Sequence, residues 1–233
     1  MQTLTLWLVL LVLQFTLCLI SYKLFGITGL YVWVGAAVLI ANIQVLKNVE
    51  LLGLSATLGN AIYGSINLST DLLNEKYGKN TSKRAVYLGF FSLVSFTLIM
   101  QVVLRVPPSL NDFAQAPMET LFSFLPRLSA GSLIAFLISQ LSDVHLFELI
   151  RKFFPSRGML WIRNNGSTLI SQLIDSVIFV LIAFWGIYPA EVLWQIVLST
   201  YLIKALSALI DTPFVYLMRS MNPIWELGAK IAK

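Results

Sequence analysis

The stretch "STLISQLIDSVIFVLIAFWG", Ser167 to Gly186, decides the fold. Its second half carries no charge and spans lipid easily, yet its first half holds Ser171, Gln172 and Asp175. An ionised side chain inside hydrocarbon costs roughly 2.5 to 3.5 kcal/mol, so such a residue faces other protein or a wet cavity. Twenty residues of helix measure about 30 Å, the thickness of a bilayer core. The stretch therefore reads as a membrane-crossing helix with one polar stripe turned inward.

The rest of the chain agrees with that reading. Of 233 residues, 58% are hydrophobic and 12% charged, with a positive mean hydropathy, outside the usual composition of a soluble domain. Apolar runs near residues 4–22, 27–46, 54–73, 85–104, 128–150, 166–186 and 192–217 predict about seven transmembrane helices. The expected fold class is an all-α integral membrane protein, one domain over 1–233: an extra N-terminal helix (1–26), a six-helix core (27–218) and a tail (219–233). The first run has no Lys or Arg before Lys23 and is longer than the apolar part of a signal peptide, so it reads as a retained helix.

Several function classes fall away. The single cysteine, Cys18, allows no internal disulfide or cysteine metal cluster, and one histidine allows no multi-histidine centre. No phosphate-binding glycine loop, nucleophile elbow or metal-ligand pair occurs, so neither catalysis nor a cofactor is expected. The net charge of +5 reads as membrane-anchoring charge rather than a nucleic-acid surface. Lys76, Lys79, Lys83 and Arg84 follow the third span, Arg151, Lys152, Arg157 and Arg163 follow the fifth, and Arg219, Lys230 and Lys233 end the chain. The segment 106–126 and the turn "GIYPAE" have no Lys or Arg. The positive-inside rule then predicts the N-terminus outside and the C-terminus cytoplasmic. Six tryptophans, Trp7, Trp33, Trp161, Trp185, Trp194 and Trp225, fall mostly near span ends and read as an interfacial belt.

Polar residues recur inside the runs at helical spacing. The third places Asn60, Gly64, Asn67, Asp71 and Asn74 on one face, with Glu75 a turn beyond Asp71; the fifth aligns Ser132, Ser139, Ser142 and Asp143; the sixth aligns Thr168, Ser171, Gln172 and Asp175. The seventh carries Lys204 near its middle, then Ser207 and Asp211. A lysine there needs a carboxylate, and Asp211 on its own helix or Asp175 on a neighbour are the candidates. Polar stripes on four helices imply a polar cavity. The bland alternative is that these groups only hydrogen-bond to hold helices together, and it weighs most on the serines, threonines and Gln140. His145 and Glu148, at a helix end beside basic residues, read first as interfacial groups. Asn42, within the second run, is a further candidate. "ISQLSD" (138–143) and "ISQLID" (170–175) echo one another, but on adjacent helices of opposite direction, which does not fit a division into two three-helix halves.

Taken in order, "STDLLNEKYG", "SDVHLFELIRK", "STLISQLIDSVIFVLIAFWG" and "YLIKALSALIDTPFVYL" resemble the queuosine precursor transporter family, also described as vitamin-uptake-transporter-like, over about residues 35–218. The resemblance implies uptake of 7-deazaguanine bases such as 7-cyano-7-deazaguanine, 7-aminomethyl-7-deazaguanine or queuine, which feed the tRNA modification queuosine. It also implies functional roles for Asp71, Asp143, His145, Ser167, Gln172, Asp175 and Lys204.

The residues suit that substrate. A guanine-type edge offers a ring N–H and an exocyclic amine side by side, which a carboxylate accepts in one bidentate contact. The expectation is that Asp175, with Asp71 or Asp143, binds this edge. Lys204, Gln172 or Asn67 would donate to the neighbouring oxygen, and Tyr63, Phe179 or Tyr201 would stack on the ring. Ser171 and Asp211 complete the principal candidates; Glu75, His145 and Asn42 are further ones. The expected partners are the small molecule and the lipid bilayer, with pairing of two copies left open. Two other readings stand beside import: the substrate-binding subunit of an ATP-driven vitamin uptake system, and a structural membrane protein that transports nothing.

Overall fold

The computed structural model describes residues 2–51, 54–123, 126–186 and 189–224, with the backbone alone at 48, 50, 51, 54–57, 60, 128, 129, 157 and 207–209. The expectations for Asn60 and Ser207 as side chains, for Ile187 and Tyr188 of "GIYPAE", and for Trp225, Lys230 and Lys233 lie outside what is described.

Helix α1 (Gln2–Gln44) folds back on itself at Gly26, whose φ of 61° and ψ of −136° only glycine adopts readily. In a straight helix residues eight apart stand about 12 Å away. Here Ser21 Oγ donates to the Gly29 carbonyl at 2.9 Å, and a Cβ on Gly29 would lie 2.2 Å from the Ser21 carbonyl oxygen. The two arms of α1 correspond to the first two predicted spans. One runs alongside α2 (Gly59–Tyr77) in the same direction, pairing Cys18 Sγ with Ser69 Oγ at 3.2 Å and the Tyr22 and Tyr77 hydroxyls at 3.0 Å. The other runs against α2, from Trp33, whose Nε1 donates to Ser65 Oγ at 3.1 Å, to Ala41 and Val45 over Gly59.

The third predicted span, 54–73, is corrected at its start. Strand β1 (Asn48–Leu51) pairs antiparallel with β2 (Leu54–Thr57), and α2 begins only at Gly59. Its side chains from Ala61 to Asn74 are buried all round except half-buried Tyr63. A central helix whose neighbours, rather than lipid, satisfy its side chains can afford Asn67, Ser69, Thr70 and Asp71.

The remaining spans lie close to expectation: α3 (Lys79–Val103), α5 (Pro126–Phe153), α6 (Leu160–Phe184) and α7 (Ala190–Ser220). A short α4 (Gln115–Phe122) stands in the segment read as an irregular loop, and one 3₁₀ turn (Arg157–Met159) precedes α6. Among the described residues, five helices are long and apolar enough to cross a membrane: α1, α3, α5 from Ala130, α6 and α7. The chain is thus a helical membrane protein. With α1 counted as two arms and α2 enclosed between its neighbours, seven helical segments of spanning length make the bundle.

The bundle is apolar outside and carries its buried charges within a largely apolar core. Leu6, Val9, Val32, Phe91, Leu98, Ile99, Trp194 and Leu198 are exposed, while Asp71, Asp143, Asp175, Asp211 and Lys204 are buried. One end, where α1 turns, α2 and α7 finish and α5 passes to α6, collects the basic residues. Lys23 Nζ donates to the Asn222 carbonyl at 3.0 Å, and Lys76 Nζ to the Met221 carbonyl at 2.6 Å. Arg163 and Arg219 converge there on Glu75.

Candidate functional site

Helix α2 sets the site's depth scale. Tyr63, Asn67, Asp71 and Glu75 recur every four residues along one face, so each marks a layer about 6 Å below the last.

The first layer holds the buried ion pair between Asp175 of α6 and Lys204 of α7, each 4% exposed. Asp175 Oδ1 accepts from Ser139 Oγ of α5 at 3.2 Å, while Oδ2 takes the lysine. Lys204 Nζ also lies 4.7 Å from the centre of the Tyr63 ring, a cation–π distance. The Tyr63 hydroxyl meets Ser132 Oγ at 3.4 Å. Asp175, Lys204, Tyr63, Ser132 and Phe179 line a cleft closed by Ala41, Val45 and Ala135. Its water-accessible volume is about 20 Å³, room for about one water molecule. A larger cavity of about 200 Å³ lies between the second arm of α1, α3 and α4, lined by Asn42, Phe96, Met100 and Phe122 among others. Among the described residues, no ionisable side chain lines it. The smaller cleft, where charge, aromatic rings and hydroxyls meet, has the chemistry of a binding site.

Below it lies an amide layer, in which Gln140 Nε2 donates to Asn67 Oδ1 at 2.6 Å. A carboxyl layer follows. Asp71 of α2 and Asp143 of α5 are both held there by hydroxyls of α6. Thr168 Oγ1 donates to Asp71 Oδ2 at 3.4 Å, and Ser171 Oγ to Asp143 Oδ1 at 2.9 Å. Beside it, Asn164 Nδ2 donates to Asp211 Oδ1 at 2.9 Å. Glu75 ends the column at the basic end, paired with Arg163 at 2.8 Å and Arg219 at 3.0 Å.

These positions revise several expectations. Lys204 is partnered by Asp175 and not by Asp211: seven residues along one helix is about 10.5 Å, beyond ion-pair reach. Asp71 and Asp143 lie deeper than Asp175, held by Thr168 and Ser171 rather than joining it at one edge. Asp143 sits well inside α5, which continues to Phe153, and its side chain is fully buried. Asn67 belongs to the amide layer, and Ser171 holds Asp143. Gln172 is buried but does not line the cleft. Ser167 Oγ donates to the Asn164 carbonyl at 3.3 Å. Of the aromatic candidates, Tyr63 and Phe179 reach the cleft and Tyr201 is absent from its lining. Asn42 Nδ2 donates to the Val38 carbonyl at 2.9 Å, beside the other cavity.

His145 is exposed, its Nδ1 at 2.6 Å from the Leu141 carbonyl and its Nε2 at 3.2 Å from Lys83 Nζ. Two residues of helix turn the chain about 200°, which carries His145 to the opposite side from Asp143. Glu75 is held by two arginines away from the cleft.

Sequence reasoning missed Asn164 and the burial of Arg163, counted as an ordinary loop cation although it is 1% exposed. The signal was present: Asn164, Thr168, Ser171 and Asp175 extend one stripe at intervals of four, three and four.

Comparison with known proteins adds the family. Residues 57–218 match the family described as "Putative vitamin uptake transporter". A "Probable queuosine precursor transporter" of Bacillus subtilis (strain 168) is 50% identical over 217 residues, covering 93% of this chain and 95% of that protein. A "Queuosine precursor transporter" of Escherichia coli (strain K12) is 29% identical over 175 residues, 73% of this chain and 75% of its own length. No solved structure matches the chain.

Proposed function

Because the chain belongs to the vitamin uptake transporter family that includes the queuosine precursor transporters, we propose that it imports queuosine precursors, 7-deazaguanine bases, through the Asp175–Lys204 cleft. The observation that carries this reading is a buried carboxylate capped by a lysine between two aromatic rings. Asp175 accepts the ring N–H and exocyclic amine of the base edge, two charge-assisted hydrogen bonds in one plane. Lys204 then leaves the carboxylate and donates to the adjacent carbonyl oxygen. Tyr63 and Phe179 pack on the ring faces. Without substrate, the ion pair keeps both charges partnered, since either alone would be costly to bury.

A cleft with room for about one water must widen to admit a bicyclic base. Binding therefore favours a conformation in which helices α5, α6 and α7 stand further apart, and a substrate that binds one state better shifts the equilibrium toward it. The cleft is lined from the ends of α1 and α5 remote from the basic end. With the basic end cytoplasmic by the positive-inside rule, the N-terminus is outside, the cleft faces outward, and the Glu75–Arg163–Arg219 cluster closes the inner end. The setting is the cell membrane.

The test is thermal stabilisation of the purified chain by a panel of 7-deazaguanines and common nucleobases. At a hundredfold excess over Kd, one binding site stabilises by about 2.7 kcal/mol. A shift with the 7-deazaguanines that disappears in Asp175→Asn supports the assignment. No shift with any of them, or an undiminished shift in the variant, refutes it.

A further inference from the structure

Import leaves the three deepest carboxylates without a task. Asp71, Asp143 and Asp211 are 1%, 0% and 0% exposed, on three different helices, and no ion pair joins any of them to a Lys or Arg among the described residues. Their partners are neutral: Thr168, Ser171 and Asn164. Burying even one unpaired carboxylate in a membrane protein is expensive. Three persist only where something positive sits among them.

Two observations say what that is. Asp71 of α2 and Asp143 of α5 are both held by α6, through the Thr168 hydroxyl at 3.4 Å and the Ser171 hydroxyl one turn on at 2.9 Å. Two ionised carboxylates brought together there have only acceptor oxygens and no donor, and a proton on one of them relieves the repulsion. Independently, Asn164 is fully buried and turned toward Asp211, to which its Nδ2 donates; its Oδ1 has no hydrogen-bond donor, nor has Asp211 Oδ2 or Asp143 Oδ2. These buried acceptors call for a donor. A proton on a carboxylate oxygen supplies at once the donor and the positive charge that these groups lack.

We propose that the Asp71–Asp143 pair, with Asp211 beside it, is a proton-binding site that couples proton entry to substrate movement. The proposal rests on the transport reading above. The pair lies between the Asp175–Lys204 cleft and the Glu75–Arg163–Arg219 cluster, so it senses both ends. The groups facing it on each packed element are few. Cys18 on α1 faces Ser69 of α2. Helix α2 adds Glu75 below; α6 adds the Thr168, Ser171 and Ser167 hydroxyls and the Asn164 amide, with Asp175 above and Arg163 below. Helix α7 adds Lys204 above and Arg219 below. The nearest charges of either sign are engaged with each other, which leaves the carboxyl pair as the free acceptor. One proton binds a carboxylate oxygen of the pair on the side open to it and leaves on the other, no other bond being made or broken. Loss of that proton sets two like charges against each other, which pushes α2 and α5 apart.

The test uses the full chain in proteoliposomes. Wild type accumulates 7-cyano-7-deazaguanine when the interior is alkaline, up to about tenfold per pH unit for one proton per substrate, with no dependence on a sodium gradient. Asp143→Asn and Asp71→Asn, which mimic the protonated state, lose gradient-driven accumulation but retain substrate exchange at equal pH. Accumulation indifferent to the pH gradient, accumulation driven by sodium instead, or variants that accumulate as wild type would each overturn the proposal. A second readout does not depend on transport. Infrared difference spectra of the purified chain should show a protonated-carboxyl band at neutral pH that Asp71→Asn/Asp143→Asn removes. If wild type has the band but exchanges no 7-deazaguanine, the substrate assignment fails and the proton site stands; if the band is absent, the proton site fails.

Discussion

The Asp175–Lys204 pair is where packing and function make opposite predictions, and a double-mutant cycle separates them. Lys204→Met leaves Asp175, 4% exposed, with only the Ser139 hydroxyl. Removing one partner of a buried pair destabilises by about 3 to 5 kcal/mol, because the survivor's charge stays buried and uncompensated. Asp175→Asn leaves the ammonium with an amide oxygen and the Tyr63 ring, and costs somewhat less. The combined Asp175→Asn/Lys204→Met variant buries no net charge, so its stability returns to within about 1 to 2 kcal/mol of wild type, giving a coupling energy of order 5 kcal/mol. Binding does not return with it. An amide oxygen replaces one acceptor of the base edge and its NH₂ opposes the other donor, so at least one charge-assisted bond worth about 1.5 to 3 kcal/mol is lost, roughly tenfold to a hundredfold in Kd. Thermal unfolding in detergent measures the first quantity, and equilibrium binding of a tritiated 7-deazaguanine the second. A double variant that regains both stability and affinity would show that the pair only holds helices together.

Three further outcomes follow from the same geometry. Tyr63→Ala and Phe179→Ala should each weaken binding by about tenfold, since ring stacking on a base is worth about 1 to 3 kcal/mol. Tyr63→Phe, which loses only the 3.4 Å contact with Ser132, should stay within about threefold in the same assay. Glu75→Gln leaves the buried Arg163 guanidinium facing Arg219 without a carboxylate; it should lower the unfolding temperature markedly while the Kd of the remaining folded protein is unchanged. A Kd raised tenfold would place Glu75 in the site after all. His145→Ala should leave initial uptake rates within about twofold of wild type, because the ring is exposed on the far side of α5, and a severe loss would contradict that placement.

Much of this was legible in the chain because a membrane inverts the usual hydrophobic code. Apolar runs give the spans by length, and a stripe such as Ser171, Gln172 and Asp175 tells which face is inward. Periodicity does not tell which stripe meets which. Lys204 had two carboxylates to choose from, and only the packing of α6 against α7 selects Asp175. Helix α2 was misjudged at its start for a related reason: apolar Leu54 and Leu58 extend its hydrophobic run backward, yet 54–57 pair with 48–51 as a strand. The reversal of α1 at Gly26 falls in the gap that the apolar runs leave between 4–22 and 27–46, and that glycine's positive φ makes it. Family resemblance pointed to His145, where two residues of helical rotation point away from the cavity. The other four charged residues it named, Asp71, Asp143, Asp175 and Lys204, are buried in the bundle in two layers that the resemblance did not separate.

The central claim is that this chain alone carries a 7-deazaguanine across a membrane. Uptake of radiolabelled 7-cyano-7-deazaguanine by liposomes containing only the purified chain tests it most directly. Saturable uptake, competed by unlabelled 7-deazaguanines and abolished by Asp175→Asn, is the predicted result. Binding to the chain without entry into the liposome would instead make it the capture subunit of an ATP-driven system, and neither binding nor entry would contradict the account.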